Sequence, residues 1–231
     1  MEALSPPSLT PSRHRERQSE SPSIIQKILA EGMVAHIGFV RDGWPVVIPF
    51  HYGLGDLGDG NGVQMLVHGS TGGRAFLTAA SSEDGIPVSV CVSFNDGLVL
   101  GRSAYNTGAR YRSVVAFGRA RLVPAELRPL ALDLLMDHIL TGRRDEVRTS
   151  TRKEIASTAV LSIPLDHASA KVAATSMGDS DEDEEDLAIW AGVIPVTVRA
   201  GTPVASPLTK NPRQVPESVR AFVARMNGDD D

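Results

Sequence analysis

The sequence predicts a mainly β fold, a β-barrel with helical caps, and three observations carry that expectation. Gly occurs 21 times and Pro 15 times in 231 residues, with only 5% aromatic residues, a composition that favours many turns over long helices. Short apolar stretches alternate with Asp-Gly and Gly-rich segments, and Asp-Gly between two β-rich runs is a strong hairpin signal. Six or seven such strands at regular spacing, with helical periodicity confined to the ends and one long connection, fit a closed barrel with helices around it.

Taken in order, residues 1–22 are rich in Pro and Ser, carry the mixed-charge run Arg13-His14-Arg15-Glu16-Arg17, and read as a disordered tail. Ile24, Ile25, Ile28 and Leu29 then share one helical face with Gly32 as the stop, so a short helix is predicted from residue 23. Apolar stretches at 34–40, 45–52 and 63–68 follow, separated by Arg41-Asp42-Gly43 and a Gly- and Asp-rich loop, an antiparallel meander. A helix is predicted over 70–80 with Ser70 as its N-cap. Strands at 87–95 and 97–104, joined by a turn at Asn95-Asp96-Gly97, and a strand at 113–123 come next. Leu127, Leu130, Leu134, Leu135, Ile139 and Leu140 keep helical spacing between Pro124 and Gly142, a helix of about four turns. A last long strand is expected at 158–171, then a solvated acidic loop over 178–186. The folded domain spans 23–198 on this reading, and 199–231 form a Pro-rich extension with a short helix at 216–226.

The charge balance, 23 basic against 28 acidic residues, gives no field that gathers phosphate polymers, so nucleic acid is not an expected partner. No window reaches the roughly 18 apolar residues of a membrane span, and the start of the chain lacks the apolar centre of a signal peptide. A soluble, cytoplasmic protein is expected. The single cysteine, Cys91, has no partner for a disulfide within the chain and sits in an apolar run, which reads as a small buried hydrophobe in a reducing compartment.

Gly-x-Ser-x-Gly is absent, which leaves serine hydrolysis without its elbow. The histidines at 14, 36, 51, 68, 138 and 167 are scattered, with neither Cys-x-x-Cys nor His-Glu-x-x-His, so no metal site is expected. Phosphate binding has more support. Val67-His68-Gly69-Ser70-Thr71-Gly72-Gly73-Arg74 runs from a strand end into a helix start and supplies hydroxyls, close-approach glycines, backbone N–H groups and a cation. The plainer reading is a hairpin exit whose Ser70 caps a helix and whose Arg74 is solvated. Arg112 and Ser113 alternate across a strand, so at most one faces a given site, and Arg119 and Arg121 share a face that reads as wet exterior. Trp190 is read first as core packing and second as a ring stacked on an aromatic cofactor.

Several segments, in order, resemble one family. They are Ala35-His36-Ile37-Gly38-Phe39 with Trp44-Pro45-Val46-Val47-Ile48-Pro49, Leu66-Val67-His68-Gly69-Ser70, Asp96-Gly97-Leu98-Val99-Leu100-Gly101-Arg102-Ser103-Ala104, Tyr111-Arg112-Ser113-Val114-Val115-Ala116-Phe117-Gly118-Arg119-Ala120, and Ser169-Ala170-Lys171 with Trp190-Ala191-Gly192-Val193-Ile194-Pro195. From about residue 24 to 196 the chain resembles the flavin-binding split-barrel proteins related to pyridoxamine 5'-phosphate oxidase, most closely the nitroimidazole-resistance (Nim) type.

The resemblance implies a six-stranded antiparallel split barrel of Greek-key type that pairs as a homodimer with FMN at the subunit interface. Pro45, Val46, Val47, Ile48 and Pro49 would lie along the isoalloxazine, offering backbone groups to the ring edge. Val67, His68, Ser70 and Arg74 would hold the flavin phosphate. Ser113 falls where the oxidases place a polar side chain near the ring, and Lys171 or Trp190 comes from the partner subunit. Where the oxidases carry adjacent Arg and Lys, Gly73-Arg74 leaves one cation, and their basic, aromatic C-terminus is not recognisable, so vitamin B6 oxidation is not the expected reaction. The expected function is an FMN-dependent oxidoreductase acting on a small molecule, with nitro-group reduction as the example. His68 is expected either to deliver a proton or to act as a phosphate-side donor. The alternatives are haem held by His36, His51 or His68, a deazaflavin (F420), or a flavin-binding module without turnover.

Overall fold

The computed structural model describes residues 5–10, 15–173, 187–211 and 214–228. The acidic residues expected to form a loop at 178–186 lie outside them. In chain order the elements are β1 (Gln18–Ser19), α1 (Pro22–Glu31), β2 (Val34–Arg41), β3 (Trp44–Asp56), β4 (Val63–Ser70), α2 (Arg74–Ala80), β5 (Ile86–Leu100), β6 (Gly108–Leu122), α3 (Arg128–Ile139), α4 (Arg152–Ser157), β7 (Thr158–Ile163), β8 (Ala168–Val172), β9 (Gly192–Pro195) and α5 (Glu217–Asn227). None of the described helices is long and apolar enough to cross a membrane.

The strands run β1-β8-β6-β7-β4-β3-β2-β5-β9, and a further β5–β6 pairing closes β2 to β7 into a six-stranded antiparallel barrel. The split lies on β6. Its residues 112–116 pair with β8, whereas only Arg121 and Leu122 pair with β7. Alternate residues of the barrel strands point inward, so Ala35, Ile37, Val90, Val92, Val114, Ala116, Met65, Val67, Leu161 and Ile163 form the interior. Ile25, Ile28 and Leu29 of α1 join the same core, and Pro22 starts that helix where its missing N–H costs nothing.

The helix α3 covers the outside of β4 and β7. Leu66 and Val160 face it together with Ala131 and Leu135, which is why those strands are apolar on both faces. Gly53 permits the approach: a Cβ there would stand 2.6 Å from the Leu135 Cα. At the β2–β3 turn, Asp42 and Gly43 both have positive φ, 52° and 79°, the geometry for which Asp-Gly is suited.

Four expectations are corrected. Asn95-Asp96-Gly97 is not a hairpin turn but a bulge within one long strand, β5, because both flanks pair with β6. Arg112 fixes the bulge through two hydrogen bonds to the Asp96 carboxylate, at 2.8 and 3.0 Å, and reaches Glu31 of α1 at 2.6 Å. The strand expected over 158–171 is two strands, β7 and β8, interrupted where Pro164 removes a ladder donor. Ser70 is the last residue of β4, and α2 is capped by Gly73 without a side-chain bond. Part of the segment read as a disordered tail is ordered on the barrel, since Gln18 and Ser19 pair with β8 and the Pro7 carbonyl accepts from His167 at 2.8 Å.

Candidate functional site

The site is built around the free edge of β3. Residues 44–51 pair with β2 on one side, and pairing with β4 begins only at Tyr52. The Tyr52 N–H points to the β2 side, donating to the Met33 carbonyl at 3.4 Å, so odd-numbered residues of this strand turn their amide groups to the open edge. Pro45 and Pro49 occupy two of those odd positions, where a missing N–H breaks no ladder bond. Between them the edge offers one donor, the Val47 N–H, and three acceptors, the carbonyls of Pro45, Val47 and Pro49. Such a broken pattern does not continue a sheet; it matches the amide-like edge of a flat heterocycle.

A cavity of about 1170 Å³ opens beside this edge. Pro45, Val46 and Val47 line it with Phe39, Val88 and Phe117, an apolar wall. Ile48 and Pro49 are not part of the lining, nor are Val67, His68, Ser70, Arg74, Ser113, Lys171 and Trp190. Val46 and Ile48 are half-buried, and Val47 is 64% exposed.

The predicted phosphate turn lies at one end of the same edge. Val67 is buried in the barrel and brings only its backbone. Ser70 accepts from the Gly72 N–H at 3.3 Å through its hydroxyl and from the Gly73 N–H at 2.8 Å through its carbonyl. Arg74 is exposed and forms an ion pair with Asp42 at 3.4 Å, which ties this turn to the β2–β3 turn. Asp42 was legible only as a turn residue; nothing in a spacing of 32 residues pairs it with Arg74. His68 faces outward next to His51, one step beyond the last paired residues of β3 and β4. Its partial burial, and then the neighbouring His51, hold its pKa below the ordinary imidazole value.

Ser113 and Lys171 face each other across β6 and β8, with the Lys171 ammonium 5.5 Å from the Tyr111 ring centre. By strand order Ser113 on β6 stands three strands from β3 and Lys171 on β8 four, and neither lines the cavity beside that edge. Trp190 is 66% exposed and its ring lies against Gly192 at the start of β9, so it is not core packing. Arg119 donates to the backbone carbonyls of Asp84 and Gly85, and it lines the cavity together with Arg121, so the face expected to be wet exterior borders the cavity. Cys91 is half-buried across from His36, and burial pushes its thiol pKa up, which keeps it inert.

Among solved structures, the FAD and haem binding protein from Mycobacterium smegmatis is 35% identical, with a TM-score of 0.80 over 90% of this chain and 97% of that one. The flavocytochrome Anf3 from Azotobacter vinelandii is 31% identical, with a TM-score of 0.79 over 91% and 94% of the two chains. A 5-nitroimidazole antibiotic resistance protein from Bacteroides thetaiotaomicron shares the fold at 18% identity, with a TM-score of 0.53 over 67% of this chain and 86% of that one. No curated protein matches the chain. Residues 21–172 match the family model described as pyridoxamine 5'-phosphate oxidase, and the chain belongs to that family.

Proposed function

We propose that this protein is a redox protein that binds a flavin and a haem. The observation that carries the reading is the likeness, at 35% and 31% identity over nine-tenths of the chain, to one protein described as binding FAD and haem and another described as a flavocytochrome. FAD therefore takes precedence over the FMN expected from the wider family, and both place the same ring and inner phosphate on the protein. When bound, flavin supplies the exchange between two-electron and one-electron carriers.

The chain's own residues supply the rest. The Val47 N–H and the carbonyls of Pro45 and Pro49 orient the ring edge, and the apolar wall of Phe39, Val46 and Val88 excludes water from it. Ser70 and Arg74 meet the phosphate side. His68, its pKa held below the ordinary imidazole value, holds a place for a proton beside that turn. A second copy of the chain supplies Lys171 and Trp190, which one chain leaves away from the edge, so the working unit is a homodimer acting on a small-molecule electron acceptor. The likeness to the Bacteroides protein concerns the fold and does not select a nitro group as that acceptor.

Titration with FAD, FMN and riboflavin, read by quenching of flavin fluorescence, tests the flavin assignment, and sedimentation of the loaded protein tests the pairing. Tight FAD binding by a dimer is expected; a monomer that binds FAD fully removes the shared site, and absence of binding removes the flavin.

A further inference from the structure

The haem part of the proposed function needs a protein ligand to the iron, and five described histidines are available. A good imidazole ligand is neutral and donates its second ring N–H to a carbonyl, which fixes the tautomer and aims the lone pair. Three described histidines make such a bond to the backbone. His138 and His167 spend Nε2 on it, donating to Gly32 at 2.9 Å and Pro7 at 2.8 Å. That leaves them Nδ1, the nitrogen next to the ring carbon that bears the side chain, where a wide planar ligand meets the residue's own Cβ and backbone. His138 is further hindered by Tyr52, whose ring centre is 4.8 Å from its own.

His51 is the reverse. Its Nδ1 donates to the Met33 carbonyl at 3.2 Å, so the lone pair is on Nε2, the outer tip of an exposed ring. His36 and His68 have no described hydrogen bond to set a tautomer. The surroundings of His51 suit a flat apolar ligand: Val47 and Pro49 precede it on the same outward face of β3, and Val34, 37% exposed, pairs with it from β2. Val47, at 64%, is more open still.

We infer that His51 binds the haem iron through Nε2, with Val34, Val47 and Pro49 as the apolar surface beside it. The inference rests on the proposed haem binding and assigns the ligand that this binding requires. Its Nε2 lone pair forms the bond to iron, and the proton stays on Nδ1 with the Met33 carbonyl.

The test is titration of the full-length protein with ferric haem, read by the Soret and visible bands before and after desalting, in wild type and in His51→Ala, His36→Ala and His167→Ala. His51→Ala is expected to lose the wild-type Soret maximum and to release haem on desalting, and added imidazole is expected to restore the maximum. The other two are expected to keep the wild-type spectrum. Unchanged far-UV circular dichroism and unchanged flavin binding in His51→Ala separate loss of a ligand from loss of fold. A His51→Ala protein that retains haem with the wild-type spectrum overturns the ligand assignment alone; a wild-type protein that takes up no haem overturns the haem reading beneath it.

Discussion

Replacing Val47 by Pro removes a single N–H from the open edge of β3 and leaves its carbonyl in place. That N–H bonds no neighbouring strand, because pairing with β4 begins at Tyr52 and the β2 side is served by even-numbered residues. The side chain is 64% exposed and no ladder bond is lost, so proline is accommodated here as Pro45 and Pro49 are on the same edge. The effect on ligand binding is larger. A flavin carbonyl or ring nitrogen left without its donor in a water-poor site costs about 1–3 kcal/mol, which weakens binding roughly 5- to 150-fold. Val47→Ala trims the side chain but keeps the N–H, and is expected to bind FAD within about threefold of wild type, a difference under 1 kcal/mol. Fluorescence titration with FAD measures both variants, and urea unfolding measures their stability. Equal FAD affinity in Val47→Pro and wild type, with the fold intact, would refute the edge as the flavin's recognition surface.

Arg74→Ala is expected to weaken FMN and FAD but not riboflavin, as the titration of all three flavins shows directly. Tyr52→Phe removes a buried hydroxyl that donates to the Leu29 carbonyl at 2.6 Å, and a loss of about 1–3 kcal/mol in urea unfolding is expected from the carbonyl left unpaired. Gly53→Ala forces a Cβ to within 2.6 Å of the α3 backbone, so a loss of about 1–3 kcal/mol is expected, and a change under about 0.5 kcal/mol would contradict that packing. His138 is held below the ordinary imidazole pKa, chiefly by burial, so the unfolded chain binds the proton more readily than the folded one. Its contribution to stability is present above the unfolded value, near 6.5, and is lost as the pH falls below it. His138→Gln is expected to flatten stability against pH in that window, measured by urea unfolding across the pH range.

The barrel was legible because its signals are local. The apolar runs of β2, β3 and β4, the Asp42-Gly43 turn and the spacing from Leu127 to Leu140 each declare one element, and these lie where expected. What local signals miss is which strand pairs with which. Asn95-Asp96-Gly97 carries turn chemistry, yet a bidentate bond from Arg112, sixteen residues away, stabilises an extended bulge there instead. The short strands β1 and β9 and the helix α4 carry too few residues for a period and exist through their pairing and, for α4, a capping box between Thr151 and Glu154. The site divides in the same way. The edge at residues 45–49 and the turn at 70–74 are each one contiguous run, and the Arg74–Asp42 ion pair ties that turn to the start of β3, whereas Ser113 on β6, Lys171 on β8 and Trp190 before β9 do not line the cavity. The free nitrogen of His51 depends on a carbonyl eighteen residues earlier, and no spacing rule exposes it.

The central claim, that one chain carries both a flavin and a haem, is tested most directly by the visible absorption spectrum of the full-length protein after loading with FAD and ferric haem and removal of excess by desalting. The account predicts flavin bands and a Soret band together, each retained at one equivalent per chain. A protein that leaves the column colourless, or with one of the two chromophores alone, would contradict it.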